Sequence, residues 1–432
     1  MVEIWLPYGK TEVHVSVPLR YLAGTIEPSE LELPENPFES VTSALGNPIG
    51  SGEIEDLVKG RNKITIALDG TMTPYTASVA ASAIVWTLGQ SGVPKENVSL
   101  VVGNSLREFN NPGMLGALQG AEPLRDVVIY EHSRDSVDVS KVGVTSSKTE
   151  VSLAKSFVDA DFRIAVGEVS PDHFAGLRGA QSTVMPALAS REALIRHREI
   201  AFQGDVVPGV FEGNPAHSDQ MEACELAKVD LALNLITDGW GGIASAVAGG
   251  VEPSWKTAVE KSGDLPRLRA EADADIIVVS AGGDRFDFDL YNAVWALQGI
   301  APLVKRGATI VLLAECTQGL GAEGLESLAQ VDTLAELRRR YALGARAVYA
   351  IKSALRGNNE VILVSALPGY LAEPLGFTVE RTANAAFQRV MERRRNRRTL
   401  VVTHGASSVI VPSEGVERDD GKDHHPEVDQ NQ

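Results

Sequence analysis

The sequence predicts an α/β fold made of two α/β units, each built on a mainly parallel sheet. Three observations point there. Short apolar runs of strand length alternate with longer helical patterns, at the spacing of βαβ units. The alternation restarts at Asp275, after a charged stretch (263–274) that reads as a connection. At 432 residues the chain also exceeds what one hydrophobic core usually serves. The expected partition is an N-terminal unit over 1–265 and a C-terminal unit over 266–412. The tail from 413 to 432 is acidic and poor in apolar residues, so it is expected to be disordered.

The elements follow in order. Residues 2–17 alternate apolar and polar around Leu6-Pro7-Tyr8-Gly9, the pattern of a hairpin. Residues 25–50, rich in Pro, Glu and Asn, read as an extended wrap. Strands are expected at 63–68, 98–102, 126–130 and 162–166, with a helix at 76–88 after the first. Helices at 187–202 and 219–228, a strand at 231–236, a glycine-rich run at 239–250 and a helix at 253–261 complete the first unit. The second unit has strands at 276–280, 309–314, 360–365 and 399–403. Its helices are expected at 289–304, 333–341, 345–355 and 382–394. The last ends in Arg393, Arg394, Arg395, Arg397 and Arg398, cations that suit the negative end of a helix dipole.

Composition narrows the function. A formal net charge of −17 repels phosphates, which argues against nonspecific binding to nucleic acid or an anionic membrane. Apolar content of 44% and charged content of 22% are ordinary for a globular protein. No apolar run reaches the ~18 residues of a membrane span. Met1-Val-Glu-Ile-Trp carries no basic region or cleavage site, so no signal peptide is expected. Cys224 and Cys316 stand far apart and read as small core residues. That usage fits a reducing cytoplasm.

The stretch 167–199 carries the densest chemistry. An apolar strand runs into Glu168, Ser170, Asp172 and His173, followed by Ala175, Gly176, Gly179 and Ala180, which let backbone approach a ligand. A helical run carrying His197 closes it. In an open α/β sheet, ligands sit outside the carboxyl ends of strands, so the site is expected here. Asp69 and Thr71 stand at the end of another strand. The glycine runs at 239–250 and 281–283 do not match G-x-G-x-x-G, and no G-x-S-x-G elbow is present.

Taken together, several pieces resemble the nickel-dependent lactate racemase family. They are Leu6-Pro7-Tyr8, Asn47-Pro48-Ile49-Gly50-Ser51, Asp69-x-Thr71 and His173-Phe174-Ala175-Gly176. Val184-Met185-Pro186, Arg196-His197 and Gly213-Asn214-Pro215-x-His217 follow, then Gly282-Gly283, Leu290-Tyr291-x-Ala293-Val294 and Gly321-x-Glu323-Gly324. Their order and spacing carry the resemblance, over about residues 1–412.

The resemblance implies an active-site cleft between the two domains. It implies a nickel-pincer pyridinium mononucleotide as cofactor and a small 2-hydroxy acid or other carboxylate as substrate. The reaction would pass a hydride to the pyridinium ring while a base takes the hydroxyl proton. Carried over by position, His197 matches the nickel ligand, and Asp69, with Thr71 beside it, matches the cofactor contact. The lysine that tethers the cofactor falls at Ser182, which has no amine. The two catalytic histidines fall at Ser105 and Asp172, with His173 one residue from the second. The substrate contacts fall at Met72, Asn292, Trp295 and Tyr341. Losing cations at Met72 and Trp295 removes a carboxylate clamp, with each charged hydrogen bond worth about 1.5–3 kcal/mol.

Each residue also has a plainer reading. His197, flanked by Arg196 and Arg198, reads as a surface histidine. Asp69 and Asp172 read as carboxylates bonded to their own turns. Ser182 reads as a packing residue. Glu315 and Glu323 read as solvated loop carboxylates. Arg107, Arg178 and Arg285 are candidate replacement cations. Two functions follow: a racemase or epimerase of a 2-hydroxy acid other than lactate, or a noncatalytic paralogue, without cofactor, that binds a small molecule or a partner protein.

Overall fold

The computed structural model describes residues 1–28, 31–107, 112–204, 206–263, 267–270, 274–393 and 396–412. The expectations for Arg394 and Arg395, for half of the 263–274 connection and for the tail 413–432 lie outside the described residues.

Two six-stranded sheets form two lobes. The N-terminal sheet runs Ile243–Gly249, Leu231–Thr237, Phe162–Glu168, Ile64–Asp69, Val98–Gly103, Val128–His132. All its pairings are parallel except that of the edge strand Ile243–Gly249. The C-terminal sheet runs Thr378–Glu380, Glu360–Val364, Thr309–Leu313, Ile276–Ser280, Thr399–Val402, Leu22–Ile26, and is parallel throughout. Its central strands read as unbroken apolar runs because both faces are covered.

The N-terminal segment departs from the expected partition at 265. The strand Leu22–Ile26 pairs with Thr399–Val402 and completes the C-terminal sheet. The hairpin of Val2–Tyr8 and Thr11–Val17 lays Ile4, Leu6, Val15 and Val17 against Ile276, Val278 and Val311. About 26 residues of the first unit therefore belong to the C-terminal core. The physical reason is amphipathicity. A lone hairpin cannot bury its apolar face, and the C-terminal sheet offers one to cover.

Three further elements differ from expectation. The 25–50 wrap contains a helix, Pro37–Leu45, started by Asn36, whose side chain accepts from the Glu39 amide. The glycine-rich run holds the strand Ile243–Gly249. The expected helix 289–304 is broken into Leu290–Ala293, Trp295–Gly299 and a short 3-10 turn, Ala301–Leu303.

Candidate active site

Ligands of open α/β sheets gather outside the strand ends where strand order reverses. The N-terminal sheet reverses between Ile64–Asp69 and Phe162–Glu168, and the C-terminal sheet between Ile276–Ser280 and Thr399–Val402. The loops leaving those four strand ends face each other. Thr71, Asp172, His173 and Arg178 from one lobe meet Arg285, Phe286 and Ala406 from the other around a cavity of about 40 Å3. Leu106, Arg198, Asn292 and Trp295 help to close it. A neighbouring void of about 60 Å3 continues along the seam past Pro171 and Arg285.

Two buried ion pairs set the floor. One Asp69 oxygen accepts from the Thr71 amide and hydroxyl, at 2.8 and 2.7 Å. The other pairs with Arg178, which also donates to the Thr71 hydroxyl at 2.8 Å. Asp69 thus caps its own turn and also anchors a cation. Across the seam, Arg285 pairs with Glu168, and its Nε donates to the Thr71 carbonyl at 2.9 Å. Both candidate cations are therefore already partnered. Arg107 is buried against the Phe288 ring, 3.8 Å from its centroid.

Asp172 accepts the amides of Phe174 and Ala175 at 2.7 and 2.6 Å, the turn geometry of the plainer reading. Burial pushes its carboxyl up. The Arg198 and Arg178 charges and the two amides outweigh that and bring it down to about 2. Such a carboxylate is a weak base at neutral pH. His173 is also held below neutrality but differs in keeping one ring nitrogen unpartnered. Its Nε2 meets the Ala406 carbonyl at 3.0 Å, so that nitrogen carries the proton. Nδ1 keeps its lone pair and has no partner. The ring stacks on Trp295 at 5.4 Å, and burial pulls the imidazole down to about 4. A neutral imidazole with a free lone pair thus lines the cavity.

Arg198 escaped the sequence reading. It is 3% exposed, and its guanidinium lies 3.7 Å from the centroid of Phe174. Its nearest carboxylate oxygen, on Asp172, is 3.9 Å away. Nε and Nη1 have no hydrogen-bond partner. A signal was present: Leu194, Arg198 and Ala201 share one face of the helix Arg191–Gln203, and that face is buried.

His197 is fully buried, so the surface reading fails. Its Nδ1 lies 2.9 Å from Asp219, whose other oxygen accepts from Thr145 at 2.6 Å. The carboxylate fixes the tautomer and leaves Nε2 as the free lone pair, and no partner meets it. His197 does not line the central cavity, though its neighbour Arg198 does. Among the described residues, no group of three or more His, Cys, Asp or Glu is placed to hold a metal.

Of the sequence-expected residues, Thr71, Asp172, His173, Asn292 and Trp295 share the cavity wall, with Asp69 bonded to Thr71 behind it. Besides His197, four others do not line it. The Ser105 hydroxyl donates to the Ala189 carbonyl at 2.6 Å, which occupies its proton. Ser182 is buried with an unpartnered hydroxyl. Met72, expected as a substrate contact, packs its apolar thioether in the N-terminal core. Tyr341, expected likewise, packs on Phe202 at 6.1 Å. Cys224 and Cys316 are buried, as small core residues are.

Comparison with known proteins now decides the ancestry. Residues 8–205 match the model of the lactate racemase N-terminal domain, and residues 269–411 that of the lactate racemase C-terminal domain. The chain belongs to the lactate racemase family. Lactate racemase of Thermoanaerobacterium thermosaccharolyticum is 26% identical over 329 residues, 75% of this chain and 77% of that protein. Lactate racemase of Lactiplantibacillus plantarum is 26% identical over 339 residues, 77% and 79% of the two chains. The solved lactate racemase apoprotein of T. thermosaccharolyticum superposes with a TM-score of 0.78 at 21% identity, covering 95% of this chain and all of that one. A Thermotoga maritima protein superposes at 0.63 with 14% identity, covering 87% and 98%. Both superpositions show a fold shared with this chain. No helix of the described residues is long and apolar enough to cross a membrane.

Proposed function

We propose that this chain is a racemase or epimerase of a 2-hydroxy acid other than lactate. The observation that carries the reading is His197: a fully buried imidazole oriented by Asp219, with Nε2 held free, on a lactate racemase scaffold. That donor suits nickel, which imidazole binds well. Ser182 does not suit the tethering role, because its hydroxyl cannot make the linkage an amine makes. The cofactor would be held without a covalent bond, by His197 and beside Asp69 and Thr71. A cavity of about 40 Å3 has room for a few waters only, so a nucleotide enters with the lobes parted.

When bound, the nickel-pincer pyridinium nucleotide supplies the hydride acceptor. The chain's own residues do the rest. Arg198, with nitrogens left unpartnered, takes the substrate carboxylate and so restores a cation that Met72 and Trp295 lack. His173 takes the hydroxyl proton on Nδ1. Trp295, Phe174, Phe286 and Leu106 exclude water and favour an apolar side chain on the substrate. A noncatalytic binder of small carboxylates is the second reading. It is favoured by the engaged Ser105 hydroxyl and the missing amine at Ser182.

One experiment separates the two readings. The protein is made alongside the cofactor-producing proteins, then analysed for nickel, intact mass and a near-ultraviolet band. Chiral chromatography follows a panel of single-enantiomer 2-hydroxy acids with apolar side chains. Nickel with interconversion supports the racemase. A nickel-free protein that binds the acids but returns every enantiomer unchanged supports the binder.

A further inference from the structure

A larger cavity lies away from the proposed chemistry. Its volume is about 870 Å3, within the range of small-molecule sites. Phe202 and Val206 of the N-terminal lobe form one wall, and the helix Ala345–Ala354 contributes another. It therefore sits where the lobes meet.

The wall has two characters. Its apolar part includes Phe202, Leu297, Val304 and Tyr349. Its polar part carries Lys305, Arg306, Arg346 and Arg356, and among the described residues no Asp or Glu lines the cavity. A chain of net charge −17 has acids to spare, so four cations on one wall are a local departure. Lys305 is paired with Asp275 at 2.7 Å, and Arg346 donates to the Val206 carbonyl at 3.0 Å. Arg306 and Arg356 are exposed and form no ion pair with any described residue. Arg356 lies over the Tyr349 ring, 5.4 Å from its centroid. Gln298 Oε1 and Ser353 Oγ, both shielded from solvent and without partners, line the same space.

We propose that this cavity is a second ligand site, for a small organic anion with an apolar or aromatic body. The body packs on Phe202 and Tyr349, and the anionic head meets Arg306 and Arg356. Charge-assisted bonds to arginine are roughly twice as strong as neutral ones, and an aromatic body matches the ring-lined wall. The ligand touches both lobes, so it binds the folded chain and not the unfolded one, and raises the melting temperature.

The test uses the full chain without metal and 1-naphthoate as the probe, followed by calorimetry and thermal melting. Saturable one-to-one binding with a rise in melting temperature is expected. The double variant Arg306→Glu, Arg356→Glu should weaken it at least tenfold. Ala350→Trp, which fills the cavity, should do the same. The exposed arginine pair keeps the test valid if the tryptophan variant does not fold. Uncharged naphthalene-1-methanol should bind at least tenfold more weakly than the acid. Binding unaffected by the charge reversal, equal affinity for the alcohol, or no saturation at millimolar naphthoate would each overturn the proposal. Because no nickel or turnover is involved, its failure is separate from any failure of the racemase reading.

Discussion

Replacing Arg285 by alanine tests how the lobes are joined. Arg285 is the C-terminal lobe's charge on Glu168, and its Nε also holds the Thr71 carbonyl. The Glu168 side chain is 3% exposed, and its Oε1 already lacks a partner. Removing Arg285 strips the other oxygen too. Truncating one member of a buried pair costs about 3–5 kcal/mol. The Arg285 side chain is 19% exposed, so water softens the loss and the lower end, about 3 kcal/mol, is expected. The converse variant, Glu168→Ala, leaves a cation that reaches solvent more easily, and about 2 kcal/mol is expected. The double variant should cost less than the sum, by at least about 1 kcal/mol, because each single change already removes the shared contact. Unfolding entropy of about 2.1 cal/mol/K per residue means that 3 kcal/mol lowers the melting temperature of a chain this long by only about 3 °C. Differential scanning calorimetry resolves that shift. It also shows whether loosening the seam splits one transition into two, as separately melting lobes would. Shifts below 1 °C in both single variants, or strict additivity in the double, would refute a stabilising role for the pair.

Other outcomes follow from the same geometry. Arg198→Met keeps the packing on Phe174 but removes two charged donors. Affinity for an apolar 2-hydroxy acid should fall about 100-fold by calorimetry, and an affinity within threefold of the parent would place the carboxylate elsewhere. Asp219→Ala frees the His197 ring, so retained nickel, measured by mass spectrometry after dialysis, should fall 10–100-fold, as loss of an orienting carboxylate does. Burial pulls His404 down to about 4, with the Arg285 charge adding to it. Its folded value lies below its unfolded value of about 6.5, so the unfolded chain binds the extra proton and stability falls as pH drops from about 6.5 toward 4. At pH 5 that loss is about 2 kcal/mol, and urea titrations should find it missing in His404→Asn. Asp289, raised to about 7 mainly by burial, works in the opposite direction. Its folded form holds a proton that the unfolded form releases, so Asp289→Asn should remove a gain in stability as pH falls from 7 toward 4.

The sequence shows some of this clearly and hides the rest for physical reasons. Buried parallel strands are unbroken apolar runs, so Ile64–Asp69, Phe162–Glu168 and Ile276–Ser280 were legible within a residue or two. Leu22–Ile26 was not, because its partner, Thr399–Val402, lies almost a whole chain away and a pairing leaves no local pattern. Pro37–Leu45 was obscured by composition, although Asn36 before Pro37 is a helix-start signal. The site follows the same rule. Sequence reveals residue types at strand ends, but the chemistry depends on which charges are already engaged. Arg178 and Arg285 looked available and are bound to Asp69 and Glu168. Asp172 and Ser105 looked reactive and are bonded to backbone. Arg198 drew no reading of its own and is buried with two donors unmet. Uncharged residues at Met72 and Trp295 therefore do not strip the cavity of positive charge. Positive charge stands instead on a helix one residue from His197, which would couple the proposed carboxylate contact and the metal-ligand candidate through a single element.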